Sequence, residues 1–201
     1  ISGYVGGRLD DVLMRISEMI STVPDILIVL LLSTVLKGPL QHAFNTSDLG
    51  IVKALSILGP SLISIFIVFG LLYWVPLARI IRGQVLMLKQ QEFVTAAKAL
   101  GAPGSMIIKK HLLPNCIGQI IVATCLEIPS AIFLESFLSF LGLGVAAPMT
   151  SLGSLAADAL GGMYTYTYRL IIPSIILSVM ILSLNLFGDG LRDALDPRLK
   201  K

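Results

Sequence analysis

Leu170-Ile171-Ile172-Pro173-Ser174-Ile175-Ile176-Leu177-Ser178-Val179-Met180-Ile181-Leu182-Ser183-Leu184-Asn185-Leu186-Phe187 runs without a single charged residue. A helix that crosses the hydrocarbon of a bilayer needs roughly 20 mostly apolar residues, each rising 1.5 Å. The run is continuous where a barrel strand would alternate, so it reads as a spanning helix. Three more stretches have the same character: residues 16–36, 55–81 and 116–143, the second holding the aromatic pair Tyr73-Trp74 that suits a membrane interface. The expectation is an all-α protein, a polytopic transmembrane helical bundle with four spans, forming a single domain over 1–201.

The composition agrees. Of 201 residues, 55% are apolar and 13% charged, about half the ~25% charged fraction of a soluble domain. Mean hydropathy is +0.89. A soluble core of this size cannot hide so much apolar surface, so the lipid bilayer is expected as a partner. Disorder and a disulfide scaffold are excluded, and a soluble enzyme is disfavoured. The net charge of +3 is too small an excess to argue for nucleic acid. Cys116 and Cys125 stand nine apart in an apolar run with no ligand set around them, and they read as buried thiols rather than metal ligands. The chain opens on Ile1 without a signal sequence and reads as the downstream piece of a longer protein.

The basic residues orient the spans. Arg8 and Arg15 precede the first. Arg79, Arg82, Lys89, Lys98, Lys109 and Lys110 cluster at the loop 82–114, and Arg192, Arg198, Lys200 and Lys201 follow the last. With four spans these regions share one side and hold 12 of the 15 basic residues. Lys37, Lys53 and Arg169 fall in the opposite loops, 37–54 and 144–169. The positive side is cytoplasmic, which puts the C-terminus inside.

Within loop 82–114, Thr95-Ala96-Ala97-Lys98-Ala99-Leu100 favours helix, Gly101 suits a helix stop, and Pro103 prevents continuation. A second helical piece follows, and Pro114-Asn115 is expected to punctuate before the third span. The picture is a helix–turn–helix beneath the membrane whose alanines let another surface come close. By itself the loop also fits an amphipathic surface helix with basic residues near headgroups.

Thr95-Ala96-Ala97, three residues, Gly101, nine residues, then His111-Leu112-Leu113-Pro114 resembles the "EAA" loop of ABC-importer permeases, Glu-Ala-Ala, three residues, Gly, nine residues, Ile-x-Leu-Pro. Phe137-Leu138-Ser139-Phe140-Leu141-Gly142-Leu143-Gly144 and Asn185-Leu186-Phe187-Gly188-Asp189-Gly190-Leu191-Arg192-Asp193-Ala194-Leu195-Asp196-Pro197 look like signatures of the dipeptide/oligopeptide/nickel branch. So do Gly7-Arg8-Leu9-Asp10-Asp11 and Arg82-Gly83-Gln84-Val85. The resemblance covers nearly the whole chain and is nearest to the second permease subunit of oligopeptide importers. Thr95 and His111 depart from the general pattern; the threonine removes the motif's anionic contact while leaving the helix–Gly–helix shape.

What the resemblance implies is an inner-membrane permease subunit of a binding-protein-dependent importer. Thr95, Ala96, Ala97, Gly101, His111, Leu113 and Pro114 would form the coupling segment. Its implied partners are a homologous second permease, cytoplasmic ABC ATPase subunits that bind the ATP, an external solute-binding protein and a peptide substrate. The alternatives are a permease for nickel or another small solute, or a membrane scaffold that transports nothing. No Gly-x-x-x-x-Gly-Lys-[Ser/Thr] occurs, so the chain is not expected to hydrolyse ATP itself, and no catalytic, cofactor-binding or metal-binding set is expected.

Acids inside spans are costly and draw functional suspicion. Glu127 stands about 16 Å beyond Cys116 at helical rise, near the midplane, where it either faces the translocation path or pairs with a polar group of a neighbouring helix. Glu135 falls nearer the outer face, where a structural or gating role is favoured over substrate contact. Asp25, beside Pro24, suits a helix start. Pro129, Pro60, Pro76 and Pro173 are expected to kink their helices. Tyr164, Tyr166 and Tyr168 read as an interfacial aromatic belt or as a contact for the binding protein.

Overall fold

The computed structural model describes residues 2–145 and 147–195. Every regular element among them is a helix. α1 (Ser2–Val5) and α2 (Gly7–Thr22) meet at Gly6 and Gly7, whose φ values of 71° and 61° need a residue without Cβ. α2 has three sides at 100° per residue. Asp10 and Ser17 share the buried one, Leu9, Val12, Ile16 and Met19 an exposed apolar one, and Asp11, Arg15 and Glu18 an exposed charged one.

α3 (Asp25–Thr46) starts afresh after Val23-Pro24. Pro24 holds φ −55° and ψ 128°, outside the helix, and its carbonyl accepts from Leu27 and Ile28 N–H while Asp25 occupies the first turn. The span expected at 16–36 is therefore two helices, because a proline that opens one helix closes the preceding one. α3 also continues to Thr46, through residues expected in a loop. α4 (Gly50–Ser56) leads into α5 (Gly59–Leu72) and α6 (Trp74–Leu88). The last two part at Tyr73, because Pro76 has no N–H for the Leu72 carbonyl. Arg82, expected in the loop, lies within α6.

α7 (Glu92–Ala99) is followed by α8 (Gly104–Met106), which passes through a π turn, Ile107–Leu112, directly into α9 (Leu113–Phe140). Pro114-Asn115 does not punctuate as expected. The π turn already bonds five residues back, Leu113 N–H to Ile108 C=O, so the helix absorbs the proline without stopping. α10 (Leu152–Ala159) lies inside the expected loop 144–169, opened by Ser151 and Ser154, each side chain accepting from the other's backbone N–H. α11 (Tyr168–Leu195) runs past 187, where the fourth span was expected to end.

Among the described residues four helical stretches are long and apolar enough to cross a membrane: Asp25–Thr46, Gly59–Leu88, Gly104–Phe140 and Tyr168–Leu195. Packing divides the chain into two compact units. One holds the residues up to Thr22, Tyr73–Glu127 and those from Leu186; the other holds Val23–Leu72 and Ile128–Asn185. In the first, α6 lies against α1 and α2, and Val85, Val94, Ile107, Leu112 and Cys116 form a buried apolar core. In the second, α3 packs on α5, with Val29 and Ser33 buried on one helix and Ile63, Ile65 and Val68 on the other. α11 exposes Ile175, Val179, Leu182, Leu186 and Phe187, as a helix in lipid does.

Candidate functional site

The segment expected to couple is a helical hairpin with a buried core. Val94 and Ala97 turn inward from α7 onto Ile107 and Leu112, with Leu88 and Ile81 of α6 packed against them. The turn follows from Gly101, whose φ of 78° ends α7. Ala102 N–H bonds Ala97 C=O at 3.0 Å and Gly101 N–H bonds Lys98 C=O at 2.9 Å, the paired bonds of a Schellman stop. Pro103 then restarts the chain: its carbonyl accepts from Met106 and Ile107 N–H. Helix and turn thus arise where the sequence places them, and a spare residue taken up as a π turn carries the second arm into α9.

The expected coupling residues divide between two surfaces. Thr95 and Ala96 face outward with Phe93, Lys98 and Ala99, and Leu100 at the tip is 87% exposed. Thr95 spends its hydroxyl on the Gln91 carbonyl, 3.3 Å away within its own helix. Ala97 is half-buried. His111 leans on Phe93, ring centres 6.3 Å apart, and bridges the two arms of the hairpin. Leu113 and Pro114 are exposed on the first turn of α9.

Ion pairing fixes the frame above the hairpin. Arg82 donates Nε–H to Asp10 Oδ1 at 2.7 Å and Nη2–H to Oδ2 at 2.6 Å, a two-pronged contact between α6 and α2. Arg82 holds the Asp10 carboxyl below the usual carboxylate range. Arg79 adds bonds to the Ser17 carbonyl at 3.0 Å and Ser21 Oγ at 3.1 Å. The Asp10–Arg82 pair spans 72 positions, and no local pattern announces it.

Glu127 is half-buried in α9. Glu135, in the second unit, accepts from Ser139 Oγ at 2.6 Å and from Ser136 Oγ at 3.3 Å, while Ser139 Oγ accepts from Val145 N–H at 2.9 Å. The acid thus pins the turn that ends α9. Gly142 there has φ 77°, and a Cβ on Gly144 would collide with Ser139. Gly-rich spacing over 142–144 marks the turn in the sequence, but not the carboxylate that fastens it. Tyr4 was likewise missed. Among the described residues no three His, Cys, Asp or Glu side chains gather as a metal site would need.

Comparison with known proteins places this architecture. A family model described as the binding-protein-dependent transport system inner membrane component matches residues 1–201. The chain is 43% identical over 201 residues to the oligopeptide transport system permease protein OppC of Bacillus subtilis (strain 168), covering 100% of this chain and 59% of that protein. It is 44% identical over 203 residues to the dipeptide transport system permease protein DppC of the same organism, covering 100% and 56%. To OppC of Escherichia coli (strain K12) it is 38% identical over 193 residues, covering 96% and 57%. The chain therefore spans less than two thirds of the length of these relatives. With a match along its whole length and four helices apolar enough to span a membrane, the chain belongs to the family of binding-protein-dependent transport system inner membrane components.

Proposed function

We propose that the chain is a permease subunit of a peptide-importing ABC transporter, forms half of the translocation pathway, and takes the stroke of a separate ATPase through α7 and the Gly101 turn. The observation that carries this reading is the hairpin itself. A rigid element docked in a moving partner transmits force that a loose loop would absorb, and here a buried core lies beneath an outward surface of small side chains, Thr95, Ala96 and Ala99. Names borne by the relatives, oligopeptide and dipeptide permeases, are the reason for choosing peptide as the cargo. The partners are a homologous second permease, cytoplasmic ATPase subunits that bind the ATP, and a solute-binding protein on the outer face. The hairpin and the C-terminus lie on the cytoplasmic side of the inner membrane, where the basic residues concentrate. Glu127 belongs to the pathway in this reading; Glu135 fastens the turn that ends α9.

The test is made on the complete transporter in proteoliposomes. Ala96→Cys, paired with single cysteines on the ATPase subunit, is expected to form a disulfide that stops peptide uptake until it is reduced. Absence of any such cross-link overturns the coupling role. Labelled oligopeptide is expected to accumulate and to be chased by unlabelled peptide; accumulation of nickel in its place overturns the cargo.

A further inference from the structure

Tyr4 stands where three segments of the first unit converge. Its carbonyl accepts a hydrogen bond from Lys89 Nζ at 2.8 Å. The Lys89 ammonium also lies 5.7 Å from the centre of the Tyr4 ring, and so does that of Lys98. Both are inside the roughly 6 Å over which a cation is drawn to an aromatic face. Lys89 is the residue that closes α6, and Lys98 lies in the last turn of α7. The third segment is α8. Gly104 faces the ring, and a Cβ there would stand 3.1 Å from Tyr4 Cε1, so any larger residue would push the ring back by a few tenths of an ångström. Beside Tyr4, Gly3 lies so near α6 that its Cβ would be 3.2 Å from the Arg82 carbonyl.

These contacts supply what the hairpin's core does not. Apolar burial holds surfaces together but has no direction of its own, so the packing of Val94 and Ile107 opposes separation of the hairpin from α6 more strongly than it fixes the angle between them. The covalent link between α6 and α7 is only residues 89–91. One ring lies within cation–π reach of ammonium groups on both sides of that link, a contact that depends on the angle between the two helices. We propose that Tyr4 is a positioning residue, which ties the α7–Gly101–α8 hairpin to α6 so that a push on the hairpin moves the spanning helix instead of swivelling on the link. This inference rests on the coupling role proposed above for α7.

The experiment compares Tyr4→Phe, Tyr4→Leu and Gly104→Ala in the complete transporter in proteoliposomes, reading peptide imported per ATP hydrolysed. Tyr4→Phe keeps the ring face and the backbone carbonyl and is expected to match the unsubstituted ratio. Tyr4→Leu keeps apolar bulk but offers no face to the cations, and is expected to lower the ratio severalfold while hydrolysis continues. Should Tyr4→Leu fail to assemble, Gly104→Ala decides: the added methyl displaces the ring with every cation retained, and a ratio lowered about twofold is expected. An unchanged ratio in Tyr4→Leu, or in Gly104→Ala where the former does not assemble, overturns the proposal. The Ala96→Cys cross-link separates the two claims. Its presence with an unchanged ratio removes the role of Tyr4 alone, whereas its absence removes the coupling reading beneath it.

Discussion

Asp10 is 6% exposed, in a helix whose other faces are open, and two hydrogen bonds from one guanidinium occupy both its oxygens. Removing one partner of such a pair is worse than never having had it, since the other charge is left without its counterion. The pairing lowers the carboxyl below its ordinary value of 3.8. A carboxylate with a depressed folded-state pKa gives stability that is complete above the unfolded-chain value and is lost as pH falls through the folded one. Asp10→Asn is therefore expected to lower the melting temperature of the complete protein in detergent at pH 7. The deficit against the unsubstituted protein is expected to shrink once the pH drops below about 4. A deficit that stays constant across that range would show that the carboxylate charge is not what Arg82 uses. Arg79 should buffer the loss, because its bonds to Ser17 and Ser21 join the same two helices independently.

Gly101 acts at the scale of the element, since one dihedral angle determines where α7 stops and α8 begins. Nothing lies within 4 Å of where its Cβ would be, so a substitution there meets backbone strain and no neighbour. A left-handed conformation costs an ordinary L-residue roughly 1–2 kcal/mol, and less for Asn, which visits that region more readily. The expected order of uptake and of protection from hydrogen exchange across α7 is Gly, then Asn, then Ala, with Val lowest. An order that followed side-chain volume with no advantage for Asn would point to a clash instead. This turn was legible in the sequence because its cause is local: a glycine after an alanine-rich helix, then a proline. The break between α2 and α3 was written just as locally in Val23-Pro24-Asp25, but hydropathy over 16–36 masked it, since apolar character reports burial in lipid and not continuity of a helix. α10 was hidden by the use of serine where the commoner capping pattern has Glu or Gln. The π turn was not legible, because Pro114 stops a helix only if the preceding turn is in α register. Asp10–Arg82 and Tyr4 between Lys89 and Lys98 depend on segments brought together by packing, which no window of sequence contains.

For the whole molecule the decisive quantity is which side of the bilayer each loop occupies. The stretch Gly104–Phe140 is 37 residues long, about 55 Å at helical rise. The hydrocarbon takes only ~30 Å of that, so its ends must stand in the headgroups or beyond them. Lys109 and Lys110 lie at one end and none of the 15 basic residues lies in 127–168 at and beyond the other. Carrying a cation through hydrocarbon costs about 2.5–3.5 kcal/mol on insertion scales, so the basic end is the one expected to stay in the cytoplasm. Leu100 and Tyr164, 87% and 93% exposed, are suitable reporters from the two loops. With Cys116 and Cys125 replaced by serine, Leu100→Cys is expected to react with a membrane-impermeant maleimide only in inside-out vesicles, and Tyr164→Cys only in right-side-out vesicles. The reverse pattern would put the hairpin outside, away from any cytoplasmic ATPase, and the coupling role would fall with it. Labelling of both from one side would mean an odd number of crossings between residues 100 and 164 does not occur, and α9 would have to be read as a helix that enters the membrane without traversing it.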